Sequence, residues 1–183
     1  MKPTRSAAFQ QLREFLEHDI EHTLAMGHGG NYMAALVLMV GAEALSLLVD
    51  GDENDVPIKL LARNEVDKFM ALDVMTALRD GIAHTYETKY VKVGAELIEM
   101  VVSWGERQHL TLRVDPLGLY VNVRTLWGDL REELGAVEAR LKANAEWAGQ
   151  VPKKSPGWIR EATKDSRPGW EKLLQSYGKG VQP

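Results

Sequence analysis

Apolar residues recur every three or four positions near the start of the chain, which is the spacing of one face of an α-helix. The repeating positions are Phe9, Leu12, Phe15, Leu16, Ile20 and Leu24. A second apolar stretch runs almost unbroken from residue 32 to residue 49, and a third apolar stripe follows from about Asn64. The pattern predicts long helices over residues 5–26, 31–49 and 64–84, with a polar loop at 52–57 between the second and the third.

The period of the apolar pattern changes from helical to strand-like after Tyr86. Four short segments have strand character, at 90–93, 97–104, 110–114 and 119–123, with predicted turns at 105–108 and 115–118. A last helical pattern covers residues 125–147. The predicted fold is therefore mainly α: an up-and-down helical bundle with a small antiparallel β insertion, residues 89–123, between the third and fourth long helices.

Charge divides the chain into a predicted domain at 1–147 and a C-terminal tail at 148–183. The tail has seven Lys and Arg against three Asp and Glu, whereas the domain has fifteen against twenty-three. An acidic domain repels a phosphate backbone, so broad nucleic-acid binding by its main surface is disfavoured. The tail contains Pro156-Gly157-Trp158 and, twelve residues later, Pro168-Gly169-Trp170. These tryptophans either grip a partner or a nucleobase, or pin the tail onto its own domain.

Composition and the N-terminus suit a cytoplasmic protein. The chain has no cysteine, which excludes disulfides, thiolate metal sites and a cysteine nucleophile. Its first residues become polar before an apolar stretch of signal-peptide length can form. The apolar run at 32–49 has nearly the length of a membrane span, but Gly41 and Glu43 interrupt it, and a charge inside a bilayer is unfavourable. A buried helix is the better interpretation, and we expect no membrane association.

His18 and His22 belong to an H-x-x-E-H pattern, in which two histidines one turn apart bind zinc and the glutamate acts as base. Both histidines lie about 200° from the apolar stripe on a helix of about 100° per residue, so they face solvent or a second subunit. We therefore expect no metal site. Motifs for nucleotide binding are absent from the sequence as well, and no cofactor is expected.

The most informative motif is Arg79-Asp80-Gly81-Ile82-Ala83-His84-Thr85-Tyr86, at the end of the third predicted helix. Its R-x4-H-x-Y spacing resembles that of the HEPN superfamily, and in particular its HepT-type toxins. The chain matches the motif closely, and the helical frame of the family loosely over residues 5–86 and 125–147. It departs from the family in having Asp80 where asparagine is common, and in its β insertion.

The resemblance implies a metal-independent endoribonuclease that works as a homodimer, with the motifs of two subunits meeting in a shared cleft. It also implies a toxin that a partner keeps silent, such as a nucleotidyltransferase antitoxin that modifies Tyr86. The alternative is a non-catalytic member of the same fold, acting as a binding or assembly module. Asp80 and the acidic domain favour this alternative, whereas the intact motif favours the ribonuclease.

The chemistry of RNA cleavage without a metal needs a group that moves protons near neutral pH and a fixed cation beside the phosphoryl oxygens. His84 and Arg79 supply these two functions. On a regular helix the two positions differ by about 140°, so they converge only if the helix loosens, for example at Gly81, or if two subunits share the site. Structural roles are the competing interpretation: Arg79 neutralises Glu43, His84 caps the helix and Tyr86 fills the core.

Overall fold

The computed structural model describes residues 3–26, 30–52, 54–62, 68–85, 90–105 and 109–153, with the backbone alone at 83–85. The helices are α1 (Arg5–Ala25), α2 (Asn31–Leu48), α3 (Asp55–Ala62), α4 (Lys68–Thr85), α5 (Val123–Ala143) and α6 (Ala145–Gly149). The strands are β1 (Tyr90–Val93), β2 (Glu96–Ser103), β3 (Thr111–Val114) and β4 (Leu117–Asn122). The described chain is thus mostly helical with one small sheet, as predicted.

Helix α1 packs along α2 through the apolar face that its spacing predicts. Thr4 caps the helix, and its hydroxyl accepts a hydrogen bond from the Ala7 N–H at 3.3 Å. Phe15 was expected on the same apolar face, but its side chain is 59% exposed, because the buried face is centred on the other apolar residues. A Cβ atom on Gly41 would lie 2.4 Å from a methyl carbon of the buried Leu16. The glycine therefore permits the close approach of α1 and α2.

Helix α2 lies at the centre of the bundle, in contact with α1, α3, α4 and α5. It is the one helix among the described residues whose length and composition suffice to cross a membrane, and 56% of it is buried inside the protein. Because its neighbours cover so much of it, burial in the protein accounts for its apolar character.

Two predicted boundaries in the helical part are wrong. Residues 52–57, expected as a loop, include the start of α3, where Pro57 is the third residue. Proline is tolerated there because the first turn of a helix leaves its N–H groups without helical partners. The predicted helix at 125–147 is two helices that meet at Asn144, which ends α5 and whose side chain accepts a hydrogen bond from the Trp147 N–H at 2.9 Å. The predicted start of the third helix, at 64–67, lies outside the described residues.

The sheet is mixed, not antiparallel as predicted. Its strand order is β1-β2-β4-β3, in which β2 pairs in parallel with β4 while β1 with β2 and β3 with β4 are antiparallel. The predicted hairpin between residues 97–104 and 110–114 is therefore wrong, because β4 lies between them. Strand β4 is buried along five of its six residues, whereas β3 alternates between exposed and half-buried positions. The more apolar strand takes the central place, where both its edges are paired.

Arg5 joins the first helix to the end of the described chain. Its side chain is fully buried and donates to the backbone oxygens of Leu48 at 2.8 Å and Trp147 at 2.7 Å. It also pairs with Asp50 at 2.5 Å and lies 4.4 Å from the centre of the Trp147 ring. The backbone N–H of Lys153 donates to the other carboxylate oxygen of Asp50 at 2.8 Å. The chain therefore stays on the domain as far as Lys153.

Candidate functional site

The structure brings three of the predicted site residues together, on two helices. Arg79 of α4 donates from Nη1 to the Glu43 carboxylate of α2 at 2.5 Å, and from Nε to the Asp80 carboxylate at 3.0 Å. The three side chains are 29%, 18% and 30% exposed, respectively, so the cluster lies at the border between core and solvent. The predicted pairing of Arg79 with Glu43 is present. It fixes the helix that bears the motif against the central helix of the bundle.

The electrostatics of the cluster are dominated by its carboxylates. The hydrogen bond to Glu43, with a smaller contribution from Asp80, raises the pKa of the Arg79 guanidinium above its ordinary value against the effect of its partial burial. Arg79 is therefore a permanent cation, but two carboxylates surround it, and the three charges sum to −1. A phosphate that approached Arg79 would meet this net negative charge and would compete with two hydrogen bonds that are already formed.

The backbone decides between the two ways in which the motif could assemble. Helix α4 continues without interruption through Gly81 to Thr85, so the helix does not loosen at Gly81, the first of the two alternatives. The positions of Arg79 and His84 consequently remain about 140° apart around one helix. His84 is the second-last residue of α4, but its side chain and the whole of Tyr86 lie outside the described part of the protein. Of the two assemblies, convergence between two copies of the chain is the one that the backbone permits.

The histidines of α1 face outward, as predicted. His18 and His22 are exposed, and their rings lie nearly parallel with centroids 6.2 Å apart. Among the described residues no group of three or more His, Asp or Glu side chains is placed to hold a metal ion. The pair is therefore a surface feature of the first helix within the described chain.

A histidine that sequence reasoning did not single out lies in the segment between β2 and β3, beside the end of β4. His109 accepts a hydrogen bond at Nδ1 from the Asn122 N–H at 3.0 Å, which places the ring proton on Nε2. Burial lowers its pKa to about 4, so the ring is uncharged near neutral pH. No sequence signal could have found it, because the pKa depends on the burial of the ring.

Comparison with known proteins adds no relative: the chain matches no protein-family model, no curated protein and no solved structure. The resemblance to HEPN proteins thus stands on the spacing of Arg79, His84 and Tyr86 and on the helical frame around them. The class that the structure defines is a mostly helical domain with a four-stranded mixed sheet.

Proposed function

We propose that this protein is a non-catalytic, HEPN-like binding and assembly module that forms homodimers. One observation carries the proposal: two of the three guanidinium nitrogens of Arg79 donate to carboxylates, of Glu43 and Asp80. A guanidinium held in this way stabilises the packing of α4 on α2. It is poorly available to the oxygens of a phosphate, which it would have to bind for the cleavage chemistry described above.

The dimer surface in this proposal is the outer face of α1. The surface spans the C-terminal half of the helix, from Phe15 to Met26, which are 59% and 60% exposed, with the exposed His18 and His22 between them. An antiparallel pairing of two such faces about a two-fold axis places Phe15 of one copy against Met26 of the other. The same register places His22 of each copy opposite Asp19 of the other. Apolar contacts at the ends and polar complementarity between them make this face self-complementary.

Ribonuclease activity is the second candidate function, and one feature of Arg79 favours it. The side chain is 29% exposed, so solvent reaches it, although it is paired. Activity would require two copies to bring Arg79 of one subunit toward His84 of the other, since one continuous helix holds the two positions apart. Under this alternative the protein would be a toxin component, with RNA as its substrate and an antitoxin partner, in the cytoplasm.

An RNA-cleavage assay distinguishes the two functions. Purified full chain is incubated with single-stranded RNA in the presence of a chelator, beside the His84→Ala variant, with circular dichroism to confirm that the variant is folded. We expect no cleavage by either protein. Cleavage by the wild type that falls by about 10²- to 10⁴-fold in a folded His84→Ala variant would overturn the non-catalytic proposal in favour of the ribonuclease.

Sedimentation velocity tests the assembly part of the proposal. At micromolar concentration we expect a dimer for the wild type and a monomer for Phe15→Glu. Val40→Glu is the matched control, because Val40 is a comparably exposed apolar residue, 50% exposed, on α2. A monomeric wild type would overturn the dimer, as would a Phe15→Glu variant that stays dimeric.

A further inference from the structure

The face of the sheet that looks toward α4 is apolar on all four strands. Registered pairs run across it: Val91 lies beside Ile98, and Met100, Leu119 and Leu112 lie side by side on β2, β4 and β3. The helices bury the middle of this face, where Met100 is 1% and Leu119 2% exposed. At its margins they do not, because Leu112 is 61% and Val93 58% exposed. The apolar face therefore extends beyond the part that the helices cover.

Between this face and α4 lies a groove of about 360 Å³. The described side chains that line it are apolar with one exception, and they include Phe69, Met70, Val93, Ile98 and Leu112. This volume is sufficient for one large aromatic side chain. Asp73 is the single charged side chain in this described lining, and it is exposed on α4. A complementary occupant is thus an aromatic side chain followed closely by a cation.

We propose that the groove between α4 and the sheet is occupied by the C-terminal tail of the same chain, residues 154–183, through its Pro-Gly-Trp units. Both units have the required chemistry. Trp158 is followed two residues later by Arg160, and Trp170 by Lys172. With the indole in the groove, a cation two residues further on is close enough to interact with Asp73. The Pro-Gly pair before each tryptophan favours a turn that presents the ring.

The charges and the tether favour the tail over a separate partner. The basic tail complements the acidic domain, which has fifteen Lys and Arg against twenty-three Asp and Glu. Thirty residues follow Lys153, enough to extend about 100 Å, so the tail can reach any part of a domain of this size. A tethered segment has an effective concentration in the millimolar range at its site, so the tail would occupy the groove even if its affinity is low. The surface differs from the α1 face proposed for the dimer.

Limited proteolysis of the full chain tests the docking, since trypsin cleaves after the lysines and arginines of the tail. Arg167 is not a trypsin site because it precedes Pro168. We expect cleavage at Lys164 and Lys172 to be at least about tenfold slower in the wild type than in the Trp158→Ala/Trp170→Ala double variant. These substitutions leave every trypsin site and the whole described domain unchanged. Equal rates in the two proteins would overturn the proposal.

A second pair of variants tests the groove itself. Leu112→Asp should release the tail and accelerate cleavage as much as the double tryptophan variant does, whereas Val40→Asp on α2 should not. Asp73→Asn should accelerate cleavage severalfold. Melting curves confirm that each variant is folded. A Leu112→Asp variant that is folded and cleaved as slowly as the wild type would contradict the docking site.

The dependence on protein concentration identifies the occupant. A tail that docks on its own domain gives the same cleavage rate over a hundredfold range of concentration. Protection that is lost on dilution would mean that the tail, or the sheet face, binds a second copy, and would overturn the intramolecular proposal.

Discussion

Two arginines hold the bundle together, and they do so in different ways. Arg5 is fully buried and uses all three of its nitrogens, on two backbone oxygens and one carboxylate. Arg79 is 29% exposed and its described contacts are with two carboxylates. The Leu48 and Trp147 oxygens that Arg5 contacts lie in the last turns of α2 and α6, and the Trp147 oxygen also accepts a hydrogen bond from the Gln150 N–H at 3.3 Å. Arg5 therefore completes two helix ends, whereas Arg79 neutralises acidic side chains.

The comparison shows that the burial of a guanidinium and the nature of its partners decide how much the fold depends on it. Removing Arg5 takes a donor from two backbone oxygens and the ion pair from Asp50, at a position where the guanidinium itself is fully buried. Removing Arg79 leaves two carboxylates that solvent already reaches in part. Loss of Arg79, at the border between core and solvent, therefore has a smaller structural cost than loss of Arg5.

The largest expected effect is that of Arg5→Met, which keeps much of the apolar stem but removes the charge and its donors. We expect a loss of about 3–5 kcal/mol in the free energy of unfolding, as for a broken buried ion pair. Urea denaturation followed by circular dichroism measures it. A loss no larger than that of Arg79→Met would break the contrast between the two sites.

Arg79→Met should cost less, about 1–3 kcal/mol, chiefly because it leaves Glu43 without its ion pair in a half-buried position. Combining it with Glu43→Gln should recover part of the loss, since no unpaired charge then remains. The double-mutant cycle is measured by the same urea denaturation. Strictly additive losses would show that the ion pair between Glu43 of α2 and Arg79 of α4 contributes no coupling energy.

The pairing of Arg5 with Asp50 should also be visible in the pH dependence of stability. Burial disfavours the charged carboxylate, but the hydrogen bond from Lys153 and the charge of Arg5 outweigh it and hold the pKa of Asp50 below its ordinary 3.8. A lowered pKa stabilises the folded protein above pH 3.8, and this contribution is lost as the pH falls through the pKa of the folded state.

Asp50→Asn should therefore be less stable than the wild type at pH 7, and the difference should shrink below about pH 4. Denaturation curves of both proteins between pH 7 and pH 3 measure it. A difference that stays constant over this range would mean that the charge of Asp50 does not stabilise the fold.

The smallest effect is expected for Asp80→Asn, with a loss below about 1 kcal/mol, because this carboxylate is 30% exposed and solvent screens it. The variant also places asparagine where HEPN proteins commonly have it, and lowers the negative charge beside Arg79. Thermal melts measure the stability, and the RNA assay measures any gain of cleavage. A loss of several kcal/mol in the free energy of unfolding would mean that Asp80 is as important to the fold as the contacts of Arg5.

The helical part of the fold was predictable because its signals are local. The spacing of apolar residues located α1 and α2 to within a residue or so, and Arg79 was correctly placed on a helix. The pairing of Arg79 with Glu43 was also predictable, since a carboxylate inside an apolar run needs a cation. Arg5, by contrast, stands among polar residues near the N-terminus, and nothing in its neighbours indicates that it is buried.

What the sequence by itself determined is most of the elements: where the period is 3.6 residues and where it is two, although it missed the start of α3 and the break between α5 and α6 at Asn144. What only the tertiary structure decided is how distant elements meet. Three features join segments that are far apart in the chain. They are the parallel pairing of β2 with β4, the burial of Arg5 against Leu48 and Trp147, and the ion pair of Arg79 with Glu43. Periodicity depends on neighbours a few residues away, whereas partner choice depends on which apolar surfaces the whole chain can bury together.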